Sequence, residues 1–345
     1  MCRFRPIHNV VDRAYAPRMT TVIATRDLAK HYGHVHALDG LDLTVEQGQV
    51  HGFLGPNGAG KSTTIRILLG LARRTGGEVE VFGEDPWDRA VDLHRRIASV
   101  PGDVSVWPNL SGGEAVDLLA RLRGAHTRDA SYQHEKKRLM DAFQFDPRKK
   151  GRAYSKGNRQ KVALIAAFAV PADLYILDEP TSGLDPLMAV IFQREVARAH
   201  ANGATVLLSS HIMSEVEQLC DRVSIIRAGR VVETGTLSEL RHLTRSDVSF
   251  TSAGATLEQV GRIPDVHDPA QHGDRFRLSV DSDHTATVLP ALATLGISDL
   301  RVAPPSLEEL FLRHYGDDLA GLEAAEDGET EHEAPSTRRA LKDRA

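Results

Sequence analysis

The sequence predicts an α/β protein in which a mostly parallel sheet is covered by helices on both faces, followed by a smaller α+β unit. Over the first two thirds of the chain, short strand patterns alternate with helical patterns, which is typical of parallel sheets. One strand, QVHGFL, runs directly into a glycine-rich turn and an apolar-periodic helix, which together form half of a βαβ unit. Near Ser246 a second unit begins, with three further strand patterns and two helix patterns.

The first unit opens with strands. TTVIATRDL is β-rich, and ALDGLDLTVEQGQVHGFLG contains two more strands, of which QVHGFL is short and apolar enough to be buried. The turn and helix GPNGAGKSTTIRILLGLARR follow, and EVEVFG and IASVP are the next strands. A helical pattern then extends from Leu110 to about Phe145.

The rest of the chain keeps this alternation. A basic segment, DPRKKGRAYSKGNRQK, leads into a helix through Val170, the strand DLYILDEP and the helix PLMAVIFQREVARAHANG, which ends at Gly203. The strand TVLLSS, the helix IMSEVEQLC and the strands VSIIRAG and RVVETG complete the first unit. In the second unit, VSFTS, RFRLSVD and DLRVAP are predicted strands, and TATVLPALATLG and SLEELFLRHYG are predicted helices.

Composition excludes several classes of protein. The 345 residues are 41% hydrophobic and 26% charged, as in an ordinary globular protein, and the net charge of -5 gives no overall attraction to nucleic acid. Two cysteines cannot build a disulfide framework or a metal cluster, so the cytosol is the default compartment. The longest apolar run, VALIAAFAV, ends before Pro171 and is far shorter than the roughly 20 residues that span a bilayer. The chain is therefore not expected to cross a membrane by itself.

The segment GPNGAGKST predicts a phosphate-binding loop. It fits G-x-x-x-x-G-K-[ST] and has the required strand before it and helix after it. Its glycines let backbone N–H groups surround phosphate oxygens, Lys61 neutralises the β and γ phosphates, and the Ser62 hydroxyl ligates Mg²⁺. The predicted ATP-binding residues are Gly55, Pro56, Asn57, Gly58, Ala59, Gly60, Lys61, Ser62 and Thr63.

The segment LYILDEP predicts the acidic half of the same site. A buried strand that ends in Asp178 and Glu179 places two carboxylates at the C-terminal edge of the sheet, where open α/β sheets bind ligands. Neighbouring strand residues point to opposite sides, so the two carboxylates must have different roles. We expect Asp178 to bind Mg²⁺ and Glu179 to orient or deprotonate the attacking water.

Four ordered motifs, GPNGAGKST, YSKGNRQKV, LYILDEPTSGLD and LLSSH, make the chain resemble the nucleotide-binding subunit of an ABC transporter. The resemblance covers roughly Thr20 to Leu240. It implies a P-loop NTPase fold of the ABC ATPase type, with a RecA-like core, an antiparallel β subdomain and a helical subdomain. The C-terminal unit resembles the extension of ATPase subunits from bacterial drug and antibiotic exporters.

The resemblance divides the chain into four segments. The start of the chain holds arginines but no apolar signal region, so no secretory signal is predicted. Residues 1–18 are expected to be a disordered or mis-assigned extension, with Met19 as the true start. The others are an ABC ATPase domain over 19–245, with its helical subdomain at about 104–160, a small α+β domain over 246–316, and a disordered charged tail over 317–345.

Two segments compete for the role of the family's LSGGQ signature. LSGGE, near position 112, lies too early in the chain, and its Ser111 and Glu114 instead predict a helix capping box. The segment at the expected place is YSKGN, in which Lys156 replaces a glycine and Asn158 the glutamine. In the family this signature closes over the γ-phosphate held by another subunit. The resemblance therefore assigns a trans contact to Ser155, Lys156, Gly157 and Asn158.

Four further roles follow from the resemblance. His211 matches the switch histidine that contacts the γ-phosphate, so Lys61, Glu179 and His211 are the predicted catalytic residues. Tyr32 matches the aromatic residue that stacks on adenine, and Asp185 matches the dimer-contact loop. Gly102 stands where a metal-sensing glutamine is expected, and Asp103 is the nearest polar substitute for it as a Mg²⁺ ligand.

Two histidines lie close to Tyr32 in the sequence. His34 and His36 have no predicted catalytic role, since a chain with 16 histidines needs no metal to explain two of them.

The functional expectation is an ATP- and Mg²⁺-dependent ATPase subunit that works with a second ATPase subunit. A homodimer is favoured, and a paralogue is the alternative partner. The subunit would power export of a hydrophobic compound, a class that includes drugs and antibiotics, through a separate membrane permease on the cytoplasmic face of the membrane. The alternatives are a soluble ABC ATPase acting on nucleic acid or the ribosome, and an ABC binding module that does not hydrolyse ATP. The basic run from Arg148 to Lys161 lacks the interleaved aromatic residues of a base-stacking surface, so no nucleic-acid partner is predicted.

Overall fold

A computed structural model describes residues 20–242 and 245–303 of the chain. The predicted extension over 1–18, the tail over 317–345 and the helix SLEELFLRHYG lie outside the described residues. The strands, in chain order, are β1 Thr21–Tyr32, β2 Val35–Glu46, β3 Val50–Leu54, β4 Gly76–Val81, β5 Ile97–Val100, β6 Leu174–Asp178, β7 Thr205–Ser210, β8 Arg222–Arg227, β9 Arg230–Thr236, β10 Arg245–Thr251, β11 Val266–His272, β12 Arg275–Asp281 and β13 Ser298–Ala303.

The helices connect these strands and cover the sheets. They are α1 Lys61–Leu68, α2 Ala90–Arg96, α3 Gly112–Leu122, α4 Ala130–Ala142, α5 Lys156–Phe168, α6 Pro186–Ala201, α7 Met213–Leu219, α8 Leu237–His242, α9 Leu257–Gly261 and α10 Thr285–Ala293. None of the helices in the described part of the chain is both long enough and apolar enough to cross a bilayer.

The central sheet has the order β5-β6-β7-β3-β8-β9 and is parallel except for the β8–β9 pair. Every residue of β3, β6 and β7 is buried, as expected for strands covered on both faces. The C-terminal ends of these three strands lie side by side, and the phosphate loop, the acidic pair and the LLSSH segment leave the sheet there. The predicted α/β core is confirmed.

A separate antiparallel sheet, β2-β1-β4, shares a hydrophobic core with α1 and one face of the central sheet. The helices α3, α4 and α5 belong to a second core that includes the opposite face. The predicted helical run from Leu110 to Phe145 is in fact two helices. Gly124, with a φ of 86°, ends α3 in the left-handed region, and α4 starts only after Asp129.

The third sheet is antiparallel, in the order β11-β12-β10-β13, and packs its own small core with α9 and α10. Two of its elements were absent from the sequence prediction. β11 is a partly buried edge strand, VHDPAQH, that contains Pro269, and α9 is only five residues long. The sequence analysis also did not predict α2. Leu93 is the only buried residue of that helix, so it has no apolar periodicity.

Candidate active site

The phosphate loop lies between the end of β3 and the first turn of α1 and depends on close backbone approaches. Gly60 has a φ of 115°, and a methyl group added there would lie 2.8 Å from the carbonyl oxygen of Ala37. A methyl group on Gly55 would lie 2.6 Å from the carbonyl oxygen of Ile226. Glycine is required at both positions, because the loop is compressed between the β1–β2 hairpin and β8.

Lys61 folds its side chain back over this loop. Its Nζ donates hydrogen bonds to the carbonyl oxygens of Gly55 (2.6 Å) and Pro56 (3.1 Å) and lies 3.9 Å from Glu179 Oε1. Burial lowers the pKa of Lys61, while Glu179 and Asp178 act in the opposite direction. The loop therefore holds a desolvated ammonium group among its carbonyl oxygens, and phosphate oxygens are stronger partners for that group.

The acidic pair has two different surroundings, as strand alternation predicts. Asp178 ends β6 and is buried, and its Oδ1 accepts a hydrogen bond from Ser209 Oγ at 2.7 Å. Glu179 has a φ of 46°, its backbone N–H donates to the Ser209 carbonyl, and its Oε1 lies 3.4 Å from His211 Nδ1. Glu179 therefore faces Lys61 and His211, whereas Asp178 faces the neighbouring strand β7.

Ser209 is a functional neighbour that the sequence prediction missed. It pairs with Asp178 across the β6–β7 register and anchors both carboxylate-bearing residues. The signal was present in the motif LLSSH, directly before His211.

The donor set near this pair fits Mg²⁺. Asp178 Oδ2 makes no hydrogen bond within the described residues, and the Ser62 side chain is exposed in the first turn of α1. A carboxylate and a hydroxyl are hard oxygen ligands, and Mg²⁺ commonly binds through one or two such protein groups together with water and phosphate oxygens.

Gly102 lies directly beside this metal candidate. A methyl group on Gly102 would be 3.3 Å from Asp178 Oδ2, so a longer side chain at that position would reach the carboxylate. Asp103 is exposed, and its side chain makes no hydrogen bond or ion pair with any described residue. Its role as a Mg²⁺ ligand stays a prediction.

The remaining predicted residues lie around the same edge. Tyr32 ends β1 with 49% of its surface exposed, and Lys30 Nζ lies 4.7 Å from its ring centre. His211 is exposed immediately after β7. Asp185 is the N-cap of α6, where its Oδ1 accepts a hydrogen bond from the Met188 N–H at 3.0 Å. The Tyr32 ring already has the Lys30 ammonium over it, and its stacking on adenine stays a prediction. The Asp185 carboxylate has a structural role as an N-cap, and its role in a dimer also stays a prediction.

The YSKGN segment forms the start of α5. Ser155 is the N-cap, and its Oγ accepts a hydrogen bond from the Asn158 N–H at 3.3 Å. Ser155 and Lys156 are exposed, so the helix N-terminus is open to an anion from another molecule.

The same segment is fastened to the loop that follows Glu179. Lys156 Nζ donates to Ser182 Oγ at 2.8 Å, and a methyl group on Gly157 would lie 2.6 Å from the Gly183 carbonyl oxygen. Gln160, which the sequence prediction missed, is 1% exposed and donates a hydrogen bond to the Pro180 carbonyl at 2.8 Å. The signature segment is therefore packed and hydrogen-bonded against the loop that follows Glu179 in the same chain.

The competing LSGGE segment is a helix start, as predicted. Ser111 Oγ accepts from the Glu114 N–H at 3.3 Å and the Ser111 N–H donates to the Glu114 carboxylate at 2.6 Å, so the capping box is confirmed. Gly112 has a packing role, because a methyl group there would lie 2.3 Å from Phe145 and the Tyr154 hydroxyl.

The capping box also has a defined pH dependence. Hydrogen bonds from Ser111 and the nearby Lys150 lower the pKa of Glu114 from 4.5 to about 2. A carboxylate with a lowered folded-state pKa stabilises the protein above its unfolded pKa. This contribution is therefore present above pH 4.5 and is lost as the pH falls towards 2.

Paired substitutions separate the two candidate signatures. Ser111→Ala and Ser155→Ala each remove one N-cap bond, so each is expected to lower the free energy of unfolding by about 1 kcal/mol in urea titrations. Only Ser155→Ala should also lower the ATPase rate, by about tenfold or more, because the prediction assigns a phosphate contact to that serine alone. An equal loss of ATPase activity in Ser111→Ala would contradict the assignment of YSKGN.

Comparison with known proteins identifies the family of the chain. Residues 38–182 match the ABC transporter family. The chain is 34% identical to the bacitracin transport ATP-binding protein BcrA of Bacillus licheniformis, over 88% of this chain and 100% of BcrA. It is 36% identical to the daunorubicin/doxorubicin resistance ATP-binding protein DrrA of Streptomyces peucetius, over 89% of this chain and 97% of DrrA.

Solved structures show the same fold. An ATP-binding subunit of an ABC transporter is 32% identical and superposes with a TM-score of 0.60, covering 65% of this chain and 93% of that one. A bacterial ABC transporter cassette solved as a dimer is 22% identical, with a TM-score of 0.57 over 62% of this chain and 98% of that one.

Proposed function

Because the chain belongs to the ABC transporter family of ATP-binding subunits, we propose that it hydrolyses MgATP to drive export of a hydrophobic drug or antibiotic through a separate permease. The observation that carries the proposal is the meeting of Lys61, Asp178, Glu179 and His211 at one edge of the central sheet. In phosphoryl transfer, catalysis consists almost entirely of positioning and charge stabilisation, which these groups supply.

Each residue has a defined task in the proposed reaction. The loop amides from Gly55 to Thr63 bind the β and γ phosphates, and Lys61 exchanges its carbonyl partners for phosphate oxygens. Ser62 and Asp178 hold Mg²⁺, which neutralises charge on the phosphates when bound. Glu179 accepts a proton from the attacking water, and His211 positions Glu179 and contacts the γ-phosphate.

We propose that the complete site forms only between two copies of the chain. One copy supplies the phosphate loop and acidic pair, and the other supplies Ser155, Lys156, Gly157 and Asn158. The exposure of the α5 N-terminus, which leaves it open to a phosphate held by another copy, supports a contact in trans. Asp185 belongs to the same surface, because the loop after Glu179 packs on the signature segment.

The cargo proposal rests on the relatives. BcrA and DrrA are named for bacitracin transport and daunorubicin/doxorubicin resistance, and the similarity extends over nearly the whole of both proteins. Transport also needs a membrane path, and none of the described helices could cross a bilayer. We therefore place the chain on the cytoplasmic face of the membrane, held there by a permease.

An apolar groove beside the active site is the proposed binding site for the permease. It has a volume of about 350 Å³ and is rimmed by three exposed apolar side chains, Leu71, Trp107 and Leu122. Its wall includes Pro101, next to Gly102, which lies against Asp178. An amphipathic helix from a permease loop would fill the groove and contact the segment that touches the metal ligand.

Charge introduced into this groove should uncouple the chain from its permease. Leu122→Glu is expected to abolish co-purification with the membrane partner while leaving the basal ATPase rate within about twofold, because Leu122 is 67% exposed and belongs to neither the phosphate loop nor the acidic pair. Val91→Glu, at a position 74% exposed on α2 and outside the groove, is the matched control. An equal loss of permease co-purification in both variants would exclude the groove as the permease-binding site.

The broader proposal is tested by purifying the tagged chain from detergent-solubilised native membranes and identifying what accompanies it. Stoichiometric recovery of a polytopic membrane protein is the expected result. Recovery of ribosomes or nucleic acid instead would favour the soluble ABC ATPase. An ATPase rate no higher than that of Glu179→Gln would favour the non-hydrolysing binding module.

A further inference from the structure

We propose that His31, His36 and Asp39 form a binding site for a divalent transition-metal ion on the β1–β2 hairpin. The hairpin places His31 directly opposite His36 in the strand register. Their rings are stacked, with centres 4.0 Å apart and planes 21° from parallel. One ligand atom from each histidine and one carboxylate oxygen of Asp39 all lie within 4.8 Å of one another.

The ring nitrogens of His31 and His36 have no hydrogen-bond partner among the described residues. Neither ring makes a hydrogen bond with any residue that the structure describes, and His31 Nε2 is buried without a partner. Buried polar atoms in folded proteins almost always have a partner, which can be an ion. The stacked pair therefore presents ring nitrogens whose bonding capacity nothing in the described chain uses.

Asp39 completes the ligand set. Its Oδ2 accepts both hydrogen bonds from Arg230, at 2.8 and 3.2 Å, and its Oδ1 accepts none from a described residue. Arg230 thus holds Oδ2 in place and leaves Oδ1 without a partner among the described residues, as outer partners orient the ligands of metal sites.

The donor chemistry selects the ion. Two imidazole nitrogens and one carboxylate oxygen suit Zn²⁺, Co²⁺, Ni²⁺ or Cu²⁺, whereas Mg²⁺ prefers oxygen ligands alone. Zn–N bonds are about 2.0–2.1 Å long and lie in the plane of the imidazole ring, so the two rings would rotate out of their stack to bring the three atoms onto one ion, which leaves a fourth position for water. This site is therefore chemically distinct from the proposed Mg²⁺ site at Ser62 and Asp178.

An ion bound by these residues would lie next to the phosphate loop and would affect how the β1–β2 hairpin packs on it. The strand segment between His36 and Asp39 packs on the phosphate loop, since a methyl group on Gly60 would lie 2.8 Å from the Ala37 carbonyl oxygen. Tyr32 directly follows His31. An ion that joins β1 to β2 here would fix the hairpin that carries Tyr32 against the loop. The existence of the site does not depend on the proposed transport function.

Metal titration of the nucleotide-free chain tests the proposal. After treatment with a chelator, the chain is titrated with Co²⁺, whose visible absorption reports its ligands, and then with Zn²⁺ in competition. We expect one equivalent to bind, and His31→Gln, His36→Gln and Asp39→Asn each to weaken binding by about tenfold or more. His34→Gln is the matched control, because this exposed histidine lies in the same hairpin but outside the cluster, and it should leave the affinity unchanged.

A second measurement separates the site from adventitious binding by the other histidines. Zn²⁺ should protect the backbone amides of β1 and β2 from hydrogen exchange in the wild-type chain and in His34→Gln, but not in His36→Gln. Failure of the wild-type chain to bind either metal would overturn the proposal. So would an equal loss of affinity in His34→Gln and His36→Gln, or full binding by a His31→Gln/His36→Gln double variant.

Discussion

Glu179→Gln is expected to lower the ATP hydrolysis rate by about 10²–10⁴-fold, the usual contribution of a general base, while ATP still binds. The substitution keeps the side-chain shape but removes the proton acceptor that faces Lys61 and His211. Because closure over ATP is then not followed by hydrolysis, the variant should accumulate as an ATP-bound dimer. A phosphate-release assay measures the first effect and size-exclusion chromatography with MgATP the second.

The matched control for this substitution is Glu80→Gln. Glu80 is exposed on β4, away from the site, so the same change in charge should leave the rate unaltered. If Glu179→Gln retained more than about a tenth of the wild-type rate, Glu179 would not be the base.

Lys61→Ala is expected to weaken ATP binding by about 100-fold or more, because a charge-assisted contact to phosphate in a desolvated loop is lost. The Lys61 side chain is 5% exposed, and its Nζ donates hydrogen bonds to the carbonyl oxygens of Gly55 and Pro56. The variant should therefore lose the rise in melting temperature that ATP gives the wild-type chain.

The melting temperature of Lys61→Ala is measured with and without MgATP, and the difference between the two values reports ATP binding. Lys137→Ala, which removes an exposed lysine paired with Asp141 on α4, is the control and should keep the ATP-dependent rise. An unchanged rise in Lys61→Ala would show that nucleotide binds elsewhere.

Local patterns in the sequence were sufficient for much of this account. The strand–turn–helix context of GPNGAGKST predicts the phosphate loop, because its constraints are all within one short segment. The capping-box spacing of Ser111 and Glu114 also identified LSGGE as a helix start, and the structure contains that box. Both inferences needed only neighbours along the chain.

Local sequence patterns could not predict contacts between segments that are distant along the chain. Gln160 bonds to Pro180 and Ser209 to Asp178, and neither partnership has a periodic signal in the sequence. The approach of Gly102 to Asp178 depends on how β5 and β6 end side by side. The pairing of His31 with His36 likewise depends on the hairpin register, which the bulges of β1 shift locally.

Subunit complementation tests the central claim, that each site is built from two copies of the chain. Ser155→Asp keeps a good N-cap for α5 but places a negative charge where the phosphate would bind, so this variant should fold and be inactive alone. Glu179→Gln should also be inactive alone. In a mixed dimer of the two, one site combines an intact Glu179 with the other copy's intact Ser155.

The measurement is the ATPase rate of the two variants mixed in equal amounts. Random pairing makes half of the dimers mixed, each with one intact site, so the account predicts a recovery of about a quarter of the wild-type rate per chain. A mixture no more active than its two separate components would contradict the account, because the signature segment would then not act on the site of another copy.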